Sequence, residues 1–219
     1  MEYYKIKEQD YFTEVRIELV RLIPKGTEKL LEIGAGGGNT IFYIKEKAIA
    51  KEVHGIDIIA LPDTFQNNPL IDKFYINNIE NESFDLQESY FDCIICGDVL
   101  EHLVDPWKAV QKIQRWLKPG GTLIVSIPNF REIGALKKII FDKDFGYTSS
   151  GIFDKTHLRF FCKKNALDLL STSQLRPVNC LHGFIAHDGY KKRKMINFVT
   201  LGILKDWLTP QYFIICKRN

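Results

Sequence analysis

Two short stretches hold most of the residues in this chain that are able to do chemistry. The first is Leu30-Leu31-Glu32-Ile33-Gly34-Ala35-Gly36-Gly37-Gly38-Asn39. An apolar strand carrying one acid breaks here into a glycine-rich turn. Glycine has no Cβ, so a ligand can press against the backbone and positive φ costs little. In open α/β sheets such strand-to-helix turns bind nucleotide-like ligands. The dinucleotide fingerprint places glycines at the first, third and sixth positions. Here they fall at the first, third and fifth, Gly34, Gly36 and Gly38, with Asn39 at the sixth. Glu32 suits a ligand carrying an ammonium or a sulfonium better than one carrying a pyrophosphate. A plain glycine turn is the alternative. The second stretch is Asp98-Val99-Leu100-Glu101-His102, a D-x-x-E-H pattern, and His157 follows much later. In a helical turn Asp98 would share a face with Glu101 and with His102. An imidazole titrating near neutrality is suited to move a proton as a general base. The same acid and imidazole can instead cap and brace a loop.

The elements that must position these residues alternate between strands and helices. Asp10 to Ile23 repeats apolar residues at a helical period, at Val15, Leu19, Val20 and Ile23. Strands are expected at Lys29–Ile33, Glu52–Asp57, Phe74–Ile76, Phe91–Cys96, Thr122–Ile127, Pro177–Leu181 and Gln211–Cys216. Helices are expected at Asn39–Glu46, Pro106–Leu117 and Asn165–Thr172, and Lys118-Pro119-Gly120-Gly121 reads as a tight turn. The alternation implies an α/β fold with a doubly wound, mostly parallel sheet. Asp57 ends the second strand, where an acid can accept both hydroxyls of a ribose. Residues 129–164 form the least regular region, a long insertion expected to lie over the carboxyl edge of the sheet, where ligands bind.

A chain of 219 residues that is 45% apolar and 26% charged fits one globular domain, expected over residues 1–219 with a helical segment at 1–24. No apolar run reaches the roughly 20 residues that a membrane span needs. The five scattered cysteines imply no disulfide framework, and Cys93 and Cys96 should point to opposite faces of one strand. A reduced, cytoplasmic protein is expected. The net charge of +3 is too small to make nucleic acid the expected partner. Lys191-Lys192-Arg193-Lys194 precedes Met195 to Trp207, which has an apolar helical face at Ile196, Val199, Ile203, Leu204 and Trp207. The favoured reading is a solvated start to an amphipathic helix packed on the last strands. Grip on an anionic acceptor and contact with a membrane surface are the alternatives.

The order of these elements and motifs resembles the class I S-adenosylmethionine-dependent methyltransferases. The resemblance covers roughly residues 11 to 216. It rests on Leu31-Glu32-Ile33-Gly34-Ala35-Gly36-Gly37-Gly38, on Phe91 to Leu103 with Asp98-Val99-Leu100-Glu101-His102, and on Leu117-Lys118-Pro119-Gly120-Gly121. It implies a Rossmann-like, seven-stranded sheet whose last strand is antiparallel, with a helical and loop insertion over the carboxyl edge. It implies S-adenosyl-L-methionine as cofactor. By the resemblance Glu32 faces the methionine ammonium, and Gly34, Ala35 and Gly36 lie under the methionine and ribose. Asp57 and Ile58 meet the ribose, Asn78 and Ile79 flank the adenine, and Cys96 and Gly97 sit beside the sulfonium. Asn78 stands where the family often has an Asp, although an Asn oxygen can still accept from the adenine amino group. Arg16 reads as a solvated helix arginine, with pairing to the cofactor carboxylate as the alternative.

Two branches of the class, the ubiquinone-pathway O-methyltransferases and the small-RNA 2′-O-methyltransferases, hold a divalent ion with E-x-x-E-H. The resemblance thus offers Asp98, Glu101, His102 and His157 as ligands for Mg²⁺ or Mn²⁺, with Asp98 one methylene shorter than the usual Glu. Such an ion would lower the pKa of an acceptor hydroxyl. Without it, His157 or His102 would serve as the base, with Glu101 beside them. The run Gly151 to Phe161 resembles a subgroup associated with surface polysaccharides. Core packing of Phe153, Phe160 and Phe161, and an Asp154–Arg159 pair fixing His157, are the accompanying structural expectations. The expected activity is O-methylation of a small-molecule or glycan hydroxyl; N-methylation and a catalytically silent, cofactor-binding domain are the alternatives. Residues 129–164 and 191–210 are expected to cover the substrate.

Overall fold

Strands with side chains alternating between two apolar faces can bury both faces only inside layers of helix. The computed structural model, which describes residues 14–186 and 189–219, has this arrangement. In chain order its elements are α1 (Ile17–Val20), β1 (Lys29–Ile33), α2 (Asn39–Glu46), β2 (Glu52–Asp57), β3 (Lys73–Ile76), β4 (Phe91–Gly97), α3 (Pro106–Trp116), β5 (Leu117–Pro128), α4 (Ile133–Ile140), α5 (Lys163–Leu170), β6 (Leu175–His182), α6 (Gly183–Ala186), α7 (Lys191–Val199) and β7 (Gln211–Arg218). The first residues of the expected helix from Asp10 lie outside the described residues.

The seven strands form one sheet in the order β3-β2-β1-β4-β5-β7-β6. β1 pairs in parallel with β2 and β4, and β4 in parallel with β5. β7 is antiparallel to both β5 and β6, so it alone is reversed. The mostly parallel sheet with an antiparallel last strand is thus present. One core layer joins Leu31, Ile33, Cys96 and Val125 to Val110, Ile113 and Trp116 of α3 and Leu169 of α5. The other joins Leu30, Val53, Cys93 and Ile124 to Leu19 of α1 and Ile41 and Ile44 of α2. Cys93 and Cys96 therefore do point to opposite faces. α3 starts where its sequence dictates: Pro106 stands at its first turn and the Asp105 side chain accepts from the Lys108 N–H at 3.0 Å. Such a cap contributes about 1 kcal/mol.

Two expectations need correction. Lys118 to Gly121 is not a turn ahead of the fifth strand. β5 begins at Leu117, paired with Phe91, and resumes pairing at Thr122 with Cys93, so these residues loop out as a bulge inside the strand, with Gly120 at φ +74°. The segment 191–207 also differs. Its basic cluster lies inside α7, the helix ends at Val199, and no residue of α7 is buried. The apolar face expected to pack on the last strands faces outward instead.

The chain runs from β1 outward to β3, then returns to place β4 on the other side of β1. Ligands bind at such a switch point, beyond the carboxyl ends of the strands. The glycine turn after β1 and the Asp98–His102 segment after β4 meet there.

Candidate active site

At the switch point lies a cleft of about 430 Å³. Glu32, Gly34, Ala35, Gly36, Asp57, Ile58, Asn78, Ile79 and Gly97 all line it, together with Arg16, Asp98 and His102. Cys96 does not; it is wholly buried in the core below.

The cradle is made by backbone. Gly34, Gly36 and Gly38 have φ of +73°, +52° and +82°. A Cβ on Gly34 would fall 2.4 Å from Val99 Cγ2, so the turn admits no side chain there. Asp57 ties the turn to the end of β2: one carboxylate oxygen accepts from Gly36 N–H at 2.7 Å and the other from Ile59 N–H at 3.1 Å. Burial raises the Asp57 pKa, and these bonds partly offset the rise. Gln66 is a residue that sequence reasoning missed. Its buried amide donates to the Gly36 carbonyl at 2.7 Å and the Ile59 carbonyl at 3.0 Å, closing the turn from outside. It lies in a single 3₁₀ turn, Phe65–Asn67, with no motif to mark it. The Asn78 Oδ1 accepts from Glu80 N–H at 2.9 Å, which fixes the side chain at the cleft rim.

Glu32 is the polar centre of the cleft. Burial pushes its carboxyl up to about 8, against the opposing pull of Arg16. Its Oε2 is buried and has no hydrogen-bond partner among the described residues. A buried acid with one oxygen left without a hydrogen bond, beside a glycine cradle and with a second acid at the end of the next strand, fits a ligand with a cationic amine and a ribose.

Arg16 is not the solvated residue expected. Its Nη2 lies 2.7 Å from Asp98 Oδ2, and its Nε donates to Glu18 at 2.9 Å. Burial works against its charge, but Asp98 and Glu18 outweigh it and raise its pKa. Asp98 follows β4 at φ +54°, outside any helix, and its other oxygen accepts from Ser126 Oγ at 3.0 Å and from Gln211 Nε2. The carboxylate is thus engaged by Arg16, Ser126 and Gln211, away from Glu101 and His102.

Glu101, His102 and His157 do converge. One ligand atom from each lies within 4.8 Å of the others, a group of the kind that holds a metal ion. Leu100–His102 forms a single 3₁₀ turn, and Glu101 is 1% exposed. The insertion is fastened to this turn by backbone: Leu158 and Arg159 N–H donate to the Glu101 carbonyl at 2.8 and 2.9 Å. The two imidazole rings stand 4.7 Å apart. The Nδ1 of His102 lies 3.0 Å from the Thr156 carbonyl, and that of His157 3.0 Å from the Ile152 carbonyl. A carbonyl only accepts, so both Nδ1 atoms carry hydrogen, which in a neutral imidazole makes Nε2 the basic nitrogen. His102 lines the cleft, while His157 lines a small cavity with Phe130, Phe160 and Phe161. Phe153 and Phe161 are buried, and Phe130, Phe145, Phe153 and Phe160 form one aromatic cluster, so these rings pack the insertion as expected. Arg159 reaches the Val104 carbonyl and lies over the Trp107 ring. Asp154 accepts from the Thr156 N–H and hydroxyl.

Residues 31–125 match the family described as Methyltransferase domain. Over 106 residues, 45% of this chain and 38% of the relative, the chain is 39% identical to a phosphoethanolamine N-methyltransferase of Plasmodium falciparum. It is 27% identical to a ubiquinone biosynthesis O-methyltransferase of a Shewanella species, over 68% of this chain and 63% of that protein. The chain thus spans less than two thirds of the length of either relative. Its fold is similar to that of the Burkholderia thailandensis 1,6-didemethyltoxoflavin-N1-methyltransferase, solved with S-adenosylhomocysteine, with a TM-score of 0.62 and 15% identity over 100% of this chain and 84% of that one. Sheet order and cleft agree with the matched methyltransferase domain, and the fold is similar to that of solved S-adenosylmethionine-dependent methyltransferases. Among the described residues no helix is long and apolar enough to cross a membrane.

Proposed function

We propose that the protein transfers a methyl group from S-adenosylmethionine to a hydroxyl of a small molecule or sugar. The observation that carries the reading is the Glu101–His102–His157 cluster, whose His102 forms part of the wall of the cofactor cleft. S-adenosylmethionine, when bound, supplies an electrophilic methyl group on its sulfonium. Glu32 would meet the methionine ammonium, Asp57 the ribose hydroxyls, Asn78 and Ile79 the adenine, and Gly34 to Gly36 the chain between them. Arg16 lies beside Glu32 in the same cleft and is the candidate for the cofactor carboxylate. With Nδ1 turned to a backbone carbonyl, the Nε2 of a neutral His102 or His157 is the nitrogen that would take the proton of an acceptor hydroxyl. Residues 129–164 and 191–210 would form the acceptor side. Methyl transfer is a displacement that needs mainly alignment and exclusion of water, which a closed acceptor side would provide.

A second reading of the cluster is favoured by the 4.8 Å convergence of its ligand atoms. Two imidazoles and one carboxylate would hold a divalent cation, and that donor set suits Mn²⁺ better than Mg²⁺, which prefers oxygen ligands. N-methylation is the other acceptor chemistry, supported by the likeness to the phosphoethanolamine N-methyltransferase. Calorimetric titration with S-adenosylhomocysteine tests the cofactor, with micromolar binding expected; no binding overturns the reading. With an acceptor found by screening hydroxyl and amine compounds, turnover that survives a chelator assigns the proton to histidine. Turnover lost in the chelator and restored by Mn²⁺ assigns it to the cation.

A further inference from the structure

α7 and the turns after it carry two features that each work against stability in water. The first is charge at the wrong helix end. Lys191, Lys192 and Lys194 occupy the first turns of α7, where no acid stands in the first turn and no side chain caps the helix. The positive end of the helix dipole disfavours cations there. Among the described residues none of the three has an ion-pair partner. The second feature is exposed hydrocarbon. Phe198 is 82% exposed, Leu201 88% and Ile203 83%, with Met195 and Val199 also open and Trp207 half exposed. Single exposed apolar residues are ordinary, but a contiguous set marks an interaction surface.

The segment is nonetheless anchored. Arg193 alone of the basic cluster turns inward, 2.6 Å from the buried Glu132, and donates to the Leu208 carbonyl at 2.7 Å. Ile133 N–H donates to the Trp207 carbonyl at 2.9 Å, and Asn129 donates to the Asp206 and Thr209 carbonyls at 2.8 Å. The outward face is therefore carried by a held scaffold.

We propose that this face docks on the surface of an anionic lipid bilayer. Both features become favourable there. The lysines meet anionic headgroups, and Phe198, Leu201 and Ile203 enter the boundary between headgroups and acyl chains. Charge complementarity decides the occupant. With Arg193 engaged by Glu132, four lysines of residues 189–207, Lys191, Lys192, Lys194 and Lys205, stand against one acidic residue, Asp206, although the whole chain carries a net charge of only +3. A symmetric second copy would bring two such basic faces together, whereas an anionic lipid surface neutralises one. The attachment is peripheral, and its readout is vesicle binding rather than methyl transfer.

The full chain is to be sedimented with vesicles of phosphatidylcholine, with and without phosphatidylglycerol. Binding is expected to the phosphatidylglycerol vesicles only, and to weaken with salt. Replacing Lys191 and Lys192 by Gln should weaken binding about 25-fold, roughly five-fold for each lysine. Leu201→Asp with Ile203→Asp should abolish it while circular dichroism and S-adenosylhomocysteine affinity stay unchanged, because both side chains are exposed. A chain that stays in the supernatant with anionic vesicles overturns the proposal. So does equal binding to neutral vesicles, or variants that bind as the wild type. A dimer seen by analytical ultracentrifugation and lost in the Asp variant, without vesicle binding, would assign the face to a second copy instead.

Discussion

The ends of β1 and β4 lie side by side in the sheet, yet they build their halves of the site in opposite ways. Beyond β1 the chain uses backbone. Three glycines at positive φ make the cradle, and a carboxylate from the adjacent strand end accepts its N–H at 2.7 Å. The parts come from neighbouring segments, Glu32 to Gln66. Beyond β4 the chain uses side chains and distant partners. Asp98, a non-glycine residue at φ +54°, is held by Arg16, Ser126 and Gln211. Glu101 and His102 are completed by His157 from the insertion. A cofactor that lies along a backbone can be held by a turn whose shape is set locally. Proton movement needs groups of particular pKa at particular points, and an α/β sheet supplies these by bringing long connections to one edge.

If the two halves divide binding from chemistry, substitutions should separate the two measurements. The largest effect is expected at His157. With an acceptor that the wild type methylates, His157→Ala should lower turnover about 10²–10⁴-fold and leave S-adenosylhomocysteine affinity within about two-fold. Wild-type turnover in this variant would remove the histidine from both readings of the cluster. Gly34→Ala should do the reverse. Its Cβ would meet Val99 Cγ2 at 2.4 Å and its backbone is left-handed. Urea unfolding should show a loss of roughly 2–4 kcal/mol, and calorimetry roughly 100-fold weaker binding. Asp57→Ala removes the acceptor of the Gly36 and Ile59 N–H groups. It should weaken binding about ten-fold and stability by about 1–2 kcal/mol; equal affinity would show that the turn keeps its shape unaided.

The smallest effect concerns pH and Glu32. Its folded pKa, about 8, lies above the ordinary 4.5, so folding favours the neutral form. The stability it contributes is full below pH 4.5 and is lost as pH rises through 8. The free protein should lose roughly a few degrees of melting temperature across that window, and Glu32→Gln should flatten the decline. A cationic ligand reverses the preference. Calorimetry near pH 7 in buffers of different ionisation enthalpy should therefore detect proton release on S-adenosylhomocysteine binding, absent in the Gln variant. No release in the wild type would mean that the acid is already charged.

The same contrast explains what the sequence disclosed. The glycine turn, Glu32 and Asp57 are legible because the position of each is fixed by a strand end and a short spacing. The core strands are legible because their burial shows as apolar runs. His157 could be placed over the correct edge, since insertions after central strands lie there, but its meeting with Glu101 and His102 depends on backbone bonds that leave no pattern. The D-x-x-E-H spacing misled about Asp98, because a left-handed residue ahead of a single 3₁₀ turn does not share the face that a helix would give it. Arg16 reads as solvated because Asp98, the partner beside the cleft, is 82 positions away. α7 misled in another way: an amphipathic period names an apolar face without saying what will cover it.

One reversed strand has a further effect on this architecture. In a parallel sheet every link leaves a strand at the carboxyl edge and must cross to the opposite edge before the next strand begins, so only its first part can lie on the ligand side. β7 runs against β5 and β6, and its first residue, Gln211, therefore arrives at the carboxyl edge, opposite Pro128 at the end of β5. The connection from β6, which ends at His182 on that edge, never has to cross the sheet before β7 begins. Two consecutive long connections are thereby available on the ligand side, 129–162 after β5 and 183–210 ahead of β7. Either can change in length or character without disturbing a strand on the donor side.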